Sequence, residues 1–129
     1  LPKILIVDDD KDLLEGQTMY LESKGYTVET ALNMEEGLKK LENFSPDLII
    51  VDLMMEHYDT GFVFCKRVKD NPNLKNIPIF IQTAAPKEIG YKFDITDSKS
   101  NEWIKAEEIL TKPVPLEYLE GKIKQYLEK

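Results

Sequence analysis

Five residues scattered along this chain could do chemistry together: Asp8, Asp9, Asp52, Thr83 and Lys112. They stand at or just beyond the ends of apolar runs: Ile4-Leu5-Ile6-Val7, Leu48-Ile49-Ile50-Val51, the segment Ile77 to Gln82, and Ile109-Leu110-Thr111. If those runs are parallel strands of one sheet, the five side chains converge on a single edge. Carboxylates gathered there repel one another by about 4 kcal/mol per pair, at ~4 Å and an effective dielectric near 20. Such a group demands a counter-charge. A hard divalent cation with oxygen ligands supplies it, and Mg²⁺ commonly takes one or two carboxylates, waters and a substrate phosphate. The chemistry that fits is phosphoryl transfer to a carboxylate. Asp52 would be the nucleophile, Asp8 and Asp9 would hold the metal, and the Thr83 hydroxyl and Lys112 ammonium would bind phosphoryl oxygens.

Taken one at a time these residues have plainer readings. An aspartate after a strand is most often a helix N-cap, the expectation here for Asp10 or Asp12. A lone threonine is usually a turn hydroxyl and a lone lysine a solvated charge. Convergence is what favours the functional reading. The single histidine, His57, lies in a polar loop without a partner at ligand spacing and is expected to be a bystander. Cys65, among Phe62, Val63, Phe64 and Val68, is expected to be a buried thiol, and one cysteine forms no internal disulfide.

The elements that would position the five residues alternate along the chain. Lys3 to Val7 reads as a strand buried on both faces. Asp12 to Lys24 reads as a helix with Leu13, Leu14, Gln17, Thr18 and Leu21 toward one face and Gly25 as its C-terminal stop. Tyr26 to Thr30 is a short strand. Asn33, with Glu36 three residues on, opens a second helix through Leu38 and Leu41. Leu48 to Val51 is a buried strand ending on Asp52. A loop with Gly61 leads to a helix from Phe62 to Lys69, closed by Asn71-Pro72. Ile77 to Gln82 and Ile109 to Thr111 are the last two strands. Leu116, Leu119, Ile123, Tyr126 and Leu127 mark one face of a final helix. This alternation predicts an α/β fold, a parallel sheet with helices on both faces, in which ligands bind beyond the carboxyl ends of the strands.

Composition sets the outer limits. The chain has 129 residues, 42% hydrophobic and 32% charged, as expected of one globular domain spanning 1–129. Its apolar runs are far shorter than the ~20 residues of a membrane span, and no signal-peptide pattern opens the chain, so a cytoplasmic protein is expected. The formal charge of −7 argues against nucleic acid or an anionic membrane as direct partners. The chain opens at Leu1 rather than a methionine, which suits a trimmed protein or a piece of a longer one.

Four segments together resemble the response-regulator receiver family of two-component systems. ILIVDDD resembles its first strand with the acidic pair, PDLIIVDLMM the strand carrying the phosphoacceptor, IPIFIQTAA the strand with the switch threonine, and ILTKPV the Lys-Pro signature. The resemblance implies a doubly wound five-stranded sheet of the flavodoxin-like, CheY-like kind, in strand order 2-1-3-4-5. It also implies direct Mg²⁺ coordination by Asp9, Asp52 and the backbone carbonyl of Met54, with Asp8 acting largely through water, and a cis Lys112-Pro113 bond. The implied donor is a sensor histidine kinase, a phosphotransfer protein or a small acyl phosphate. The expected output is a contact with an unidentified downstream protein, or else lies in a missing part of the gene, and a homodimer is compatible with it. The chain would take part in its own phosphorylation and dephosphorylation without being a substrate-turnover enzyme.

The sequence departs from the family in three places. Glu56 stands where a proline is usual, and one extra residue precedes Gly61. Ile109 stands at the aromatic switch position, so rotation of an aromatic ring cannot operate in that form. The interval from Thr83 to Lys112 is long and lacks a sustained helical face. An atypical, extended segment, 86–108, is therefore expected between the fourth and fifth strands, in which Tyr91, Phe93, Trp103 and Ile104 form a satellite cluster or, less simply, a docking surface. Met54 and Ala85, at the positions that tune phosphoryl lifetime in the family, cannot orient a hydrolytic water, which implies slow self-dephosphorylation. Two other functions compete. One is a phosphorylation-independent adaptor on the same fold. The other is a Mg²⁺-dependent phosphohydrolase of the haloacid-dehalogenase type, disfavoured by Asp12 at a motif position and by the short length.

Overall fold

The computed structural model describes residues 2–53, 55, 60–84 and 106–128. Met54, Glu56, His57, Ala85 and the segment through Ile104 lie outside these residues, and so do the expectations that fall on them.

Five strands form one sheet: β1 (Lys3–Val7), β2 (Thr27–Ala31), β3 (Leu48–Asp52), β4 (Ile79–Thr83) and β5 (Glu108–Thr111). Its order is β2-β1-β3-β4-β5 and every neighbouring pair is parallel. The helices are α1 (Lys11–Ser23), α2 (Met34–Lys40), α3 (Thr60–Lys69) and α4 (Leu116–Leu127). Order and direction agree with the expected doubly wound sheet.

The continuous apolar runs are explained by burial on both sides. Side chains alternate across a strand, so each run feeds two cores. Leu5, Val7, Ile49, Val51, Ile79 and Ile81 pack with Phe62, Phe64, Cys65 and Val68 of α3 and the partly buried Met34 and Leu38 of α2. Ile4, Ile6, Leu48, Ile50 and Phe80 pack with Leu14 and Leu21 of α1 and Leu119 and Ile123 of α4. Cys65 is fully buried, as expected. Ile109 pairs in register with Ile81 and packs against the first of these cores.

Local signals set the element ends. Asp10, not Asp12, caps α1, accepting from the backbone N–H groups of Asp12 (3.0 Å) and Leu13 (3.1 Å). At its other end Gly25 takes φ +98°, while the N–H groups of Gly25 and Tyr26 donate to the carbonyls of Glu22 and Leu21. That is the Schellman pattern, and it is why β2 starts at Thr27 rather than Tyr26. Asn33 Oδ1 accepts from Glu36 N at 2.8 Å and opens α2. Strand β4 begins at Ile79, two residues later than expected. Pro78 has no N–H to give, and Ile77 N donates to a turn carbonyl, that of Leu74. Helix α3 begins at Thr60, two residues before the expected Phe62.

Candidate functional site

The carboxyl edge of the sheet gathers the predicted residues because β1, β3 and β4 lie side by side. Asp8 follows β1, and its backbone N–H donates to the Ala31 carbonyl (3.0 Å), extending the pairing with β2 by one step. Its Oδ1 accepts from Asp10 N at 2.9 Å, so the residue that caps α1 also holds the Asp8 carboxylate. Asp52 closes β3 in register with Gln82, and Thr83 closes β4 one residue further along. Asp8, Asp52 and Thr83 are all buried, whereas Asp9 is exposed at the rim.

Carboxylate oxygens of Asp8, Asp9 and Asp52 lie within 4.8 Å of one another. Lys112, just beyond β5, reaches them: its Nζ is 2.9 Å from Asp8 Oδ2 and 3.3 Å from Asp52 Oδ1. Its backbone N–H donates to the Thr83 carbonyl (2.8 Å), which ties the ends of β4 and β5 together. The Lys112-Pro113 bond is cis, as the resemblance implied. Burial alone would lower the Lys112 pKa. The close approach of Asp8 and the charges of Asp52 and Asp8 outweigh it and hold the pKa above the ordinary lysine value.

One acceptor stays incompletely satisfied. Among the described residues, buried Asp8 Oδ2 accepts no hydrogen bond of regular geometry, although Lys112 Nζ is at ion-pair distance. At that distance the ammonium still neutralises it, because attraction between full charges depends little on angle. Even so, among the described residues three carboxylates cluster against the Lys112 ammonium, which leaves a surplus of negative charge. That donor set suits a hard, oxygen-seeking divalent metal ion and could hold one.

Gly61 belongs to the same corner for a reason of space. Its N–H donates to the Leu53 carbonyl at 2.8 Å. A Cβ there would stand 2.6 Å from Leu53 Cα and 2.8 Å from the Asp52 carbonyl oxygen, so only glycine lets α3 start against the end of β3. The expected fourth oxygen ligand, the Met54 carbonyl, lies outside the described residues, as does Glu56. A pair that the motif reasoning passed over is Gln17 with Gln82, whose carboxamides meet inside the fold. The available signal was a polar residue on the apolar face of a helix and another closing an apolar strand.

Among the described residues no helix is long and apolar enough to cross a membrane. The sequence matches the response regulator receiver domain over residues 4–124. It is 32% identical over 129 residues to the DNA-binding dual master transcriptional regulator RpaA of Synechocystis, covering 100% of this chain and 50% of that protein. It is 32% identical over 127 residues to the alkaline phosphatase synthesis transcriptional regulatory protein PhoP of Bacillus subtilis, covering 98% and 49%. The chain thus spans about half the length of these curated relatives, both of which are transcriptional regulators by name. In structure it resembles the chemotaxis response regulator CheY4 of Vibrio cholerae, with a TM-score of 0.82 at 30% identity over 98% of this chain and 99% of that one. A parallel sheet in this order, an acidic corner faced by a lysine, and these likenesses lead to one conclusion: the chain belongs to the response regulator receiver domain family.

Proposed function

We propose that this receiver, a single domain over 1–129, accepts a phosphoryl group on Asp52 in a Mg²⁺-dependent step and relays it as a change in protein contact. The donor is a sensor histidine kinase, a phosphotransfer protein or a small acyl phosphate. The observation that carries the reading is the convergence of Asp8, Asp9 and Asp52 with Lys112 on one edge of the sheet.

An Asp52 carboxylate oxygen attacks the phosphorus in line with the leaving group. A P–O bond to Asp52 forms as the donor's P–N or P–O bond breaks, and the leaving imidazole or carboxylate departs with the bonding pair. Asp9, Asp52 and the Met54 carbonyl, with Asp8 beside them, would hold a Mg²⁺ that would supply positive charge to the phosphoryl oxygens. Lys112 is held by Asp8 and Asp52 within reach of those oxygens, and a phosphoryl group on Asp52 would offer its ammonium a new acceptor. Thr83, closing the adjacent strand, donates its hydroxyl to another oxygen. The β4–β5 tie between Thr83 and Lys112 then couples the phosphoryl group to the exit of β4 and the entry to α4. This domain, at −7, would act through proteins; DNA binding is a property named for a relative about twice its length.

The test is intact-mass spectrometry after acetyl phosphate treatment. Wild type should gain one phosphoryl mass with Mg²⁺ and none with chelator, and Asp52→Asn should gain none. Labelling of Asp52→Asn equal to wild type would overturn the assignment. Catalytic turnover of a generic phosphate monoester would favour a phosphohydrolase instead.

A further inference from the structure

Gln17 on α1 and Gln82 on β4 are 65 residues apart, and both are buried, at 4% and 0% exposure. Their carboxamides pair reciprocally. Gln17 Nε2 donates to Gln82 Oε1 at 3.1 Å, and Gln82 Nε2 donates to Gln17 Oε1 at 3.3 Å. Around them on this side of the sheet pack Leu14 and Leu21 from α1 and Phe80 from β4. A buried carboxamide is costly unless paired, so each glutamine is tolerated only because of the other.

The location of the pair sets it apart from filling. Gln82 is in register with Asp52 and immediately precedes Thr83. Gln17 sits on the helix whose cap, Asp10, donates its N–H to Asp8 Oδ1. Helix α1 packs over β2 and against α4, and Gln17 is its hydrogen-bonded link to β4. The contacts therefore close a ring: Asp8, Asp10, α1, Gln17, Gln82, and back to Asp52 through the β3–β4 pairing. Apolar packing is non-directional and lets a helix slide or rotate slightly over a sheet. A reciprocal amide pair is directional and fixes one axial position.

We propose that Gln17 and Gln82 are a positioning pair. Their bridge holds the acidic corner at the head of α1 at a set distance from the β3 and β4 ends, and so sets the affinity of that corner for a divalent cation. The inference rests on the proposed function, because it assigns the three carboxylates to a metal.

The experiment compares wild type, Gln17→Met/Gln82→Met and Leu21→Ala. Mg²⁺ affinity is measured by calorimetry, folding by urea denaturation, and labelling by acetyl phosphate with intact mass. The double variant leaves no orphaned carboxamide and keeps volume, so it should fold. It should bind Mg²⁺ about tenfold more weakly, the low end of the loss seen when outer partners of metal ligands are removed. Its labelling should slow at limiting Mg²⁺ and recover at saturating Mg²⁺. Leu21→Ala truncates the core of the same helix and should lose stability at unchanged Mg²⁺ affinity. If the double variant does not fold, Gln17→Asn, too short to bridge, takes its place with the same expectation. Wild-type Mg²⁺ affinity in the bridge-breaking variant would overturn the proposal, as would an equal loss in Leu21→Ala. Wild type that binds no Mg²⁺ and takes no label would instead refute the proposed function itself.

Discussion

Replacing Lys112 by methionine removes the ammonium while keeping much of the side-chain volume. In the structure that ammonium is 2.9 Å from Asp8 Oδ2 and 3.3 Å from Asp52 Oδ1, with all three side chains largely shielded from water. At an effective dielectric near 20 each attraction is worth about 5 to 6 kcal/mol before desolvation of the partners is charged against it. Breaking buried pairs by removing one member typically costs about 3–5 kcal/mol net, because the other charge is left uncompensated. Here two carboxylates lose one shared cation, and Asp9 at the rim keeps the corner open to water, so we expect the low end, about 3 kcal/mol. For a chain of this length that lowers Tm by about 10 °C. The assay is urea and thermal unfolding in chelator and again in Mg²⁺. A cation that binds only the folded state adds about 2.7 kcal/mol at a hundred times its Kd. In wild type, Mg²⁺ must compete with the ammonium, so it should stabilise Lys112→Met more than wild type. Equal midpoints in chelator would show that the two ion pairs contribute nothing net. Equal stabilisation of both proteins by Mg²⁺ would refute the competition between ammonium and metal.

Two further outcomes follow from the structure and a third from the sequence. Gly61→Ala places a Cβ 2.6 Å from Leu53 Cα, a backbone atom that cannot swing away; we expect a loss of about 1–3 kcal/mol on urea unfolding and weaker labelling of Asp52, and unchanged values would contradict the close approach. Tyr126 donates its hydroxyl to Glu108 Oε2 at 2.8 Å, and burial, that hydrogen bond, and the charges of Glu108 and Glu107 push its pKa from 10.0 up to about 12. Because the folded state holds the proton more tightly, its contribution is complete below pH 10.0 and is lost as pH rises toward 12. Wild type should therefore lose stability relative to Tyr126→Phe across that window, and parallel pH profiles would sink the assignment. Finally, the resemblance at Met54 and Ala85 implies a long-lived phosphoryl group: its decay in purified protein with Mg²⁺ should take many minutes or longer, whereas a half-life of seconds would count against it.

Much of this architecture could be read in advance because burial writes itself into short segments. The runs Ile4 to Val7 and Leu48 to Val51 lack polar alternation, which only a strand covered on both faces requires, and both faces are covered. Asp10, Asn33 and Gly25 announced helix ends because capping depends on neighbours within a few residues. Among the described residues the elements differ from expectation at their ends, as at Tyr26, Ile77 and Phe62, because an end depends on one or two backbone groups.

The residue types at the acidic corner were likewise apparent from their place after the apolar runs. Which of them touch is another matter. That Lys112 reaches both Asp8 and Asp52, that Gln17 meets Gln82, and that Gly61 must lack a side chain follow from strand order and helix placement. Those are set by how two whole cores close around the sheet, over separations of tens of residues. Periodicity and capping act within one element and carry no information about its neighbour. Contacts between elements exist only once the sheet is assembled, and the chemistry of this edge is made of them.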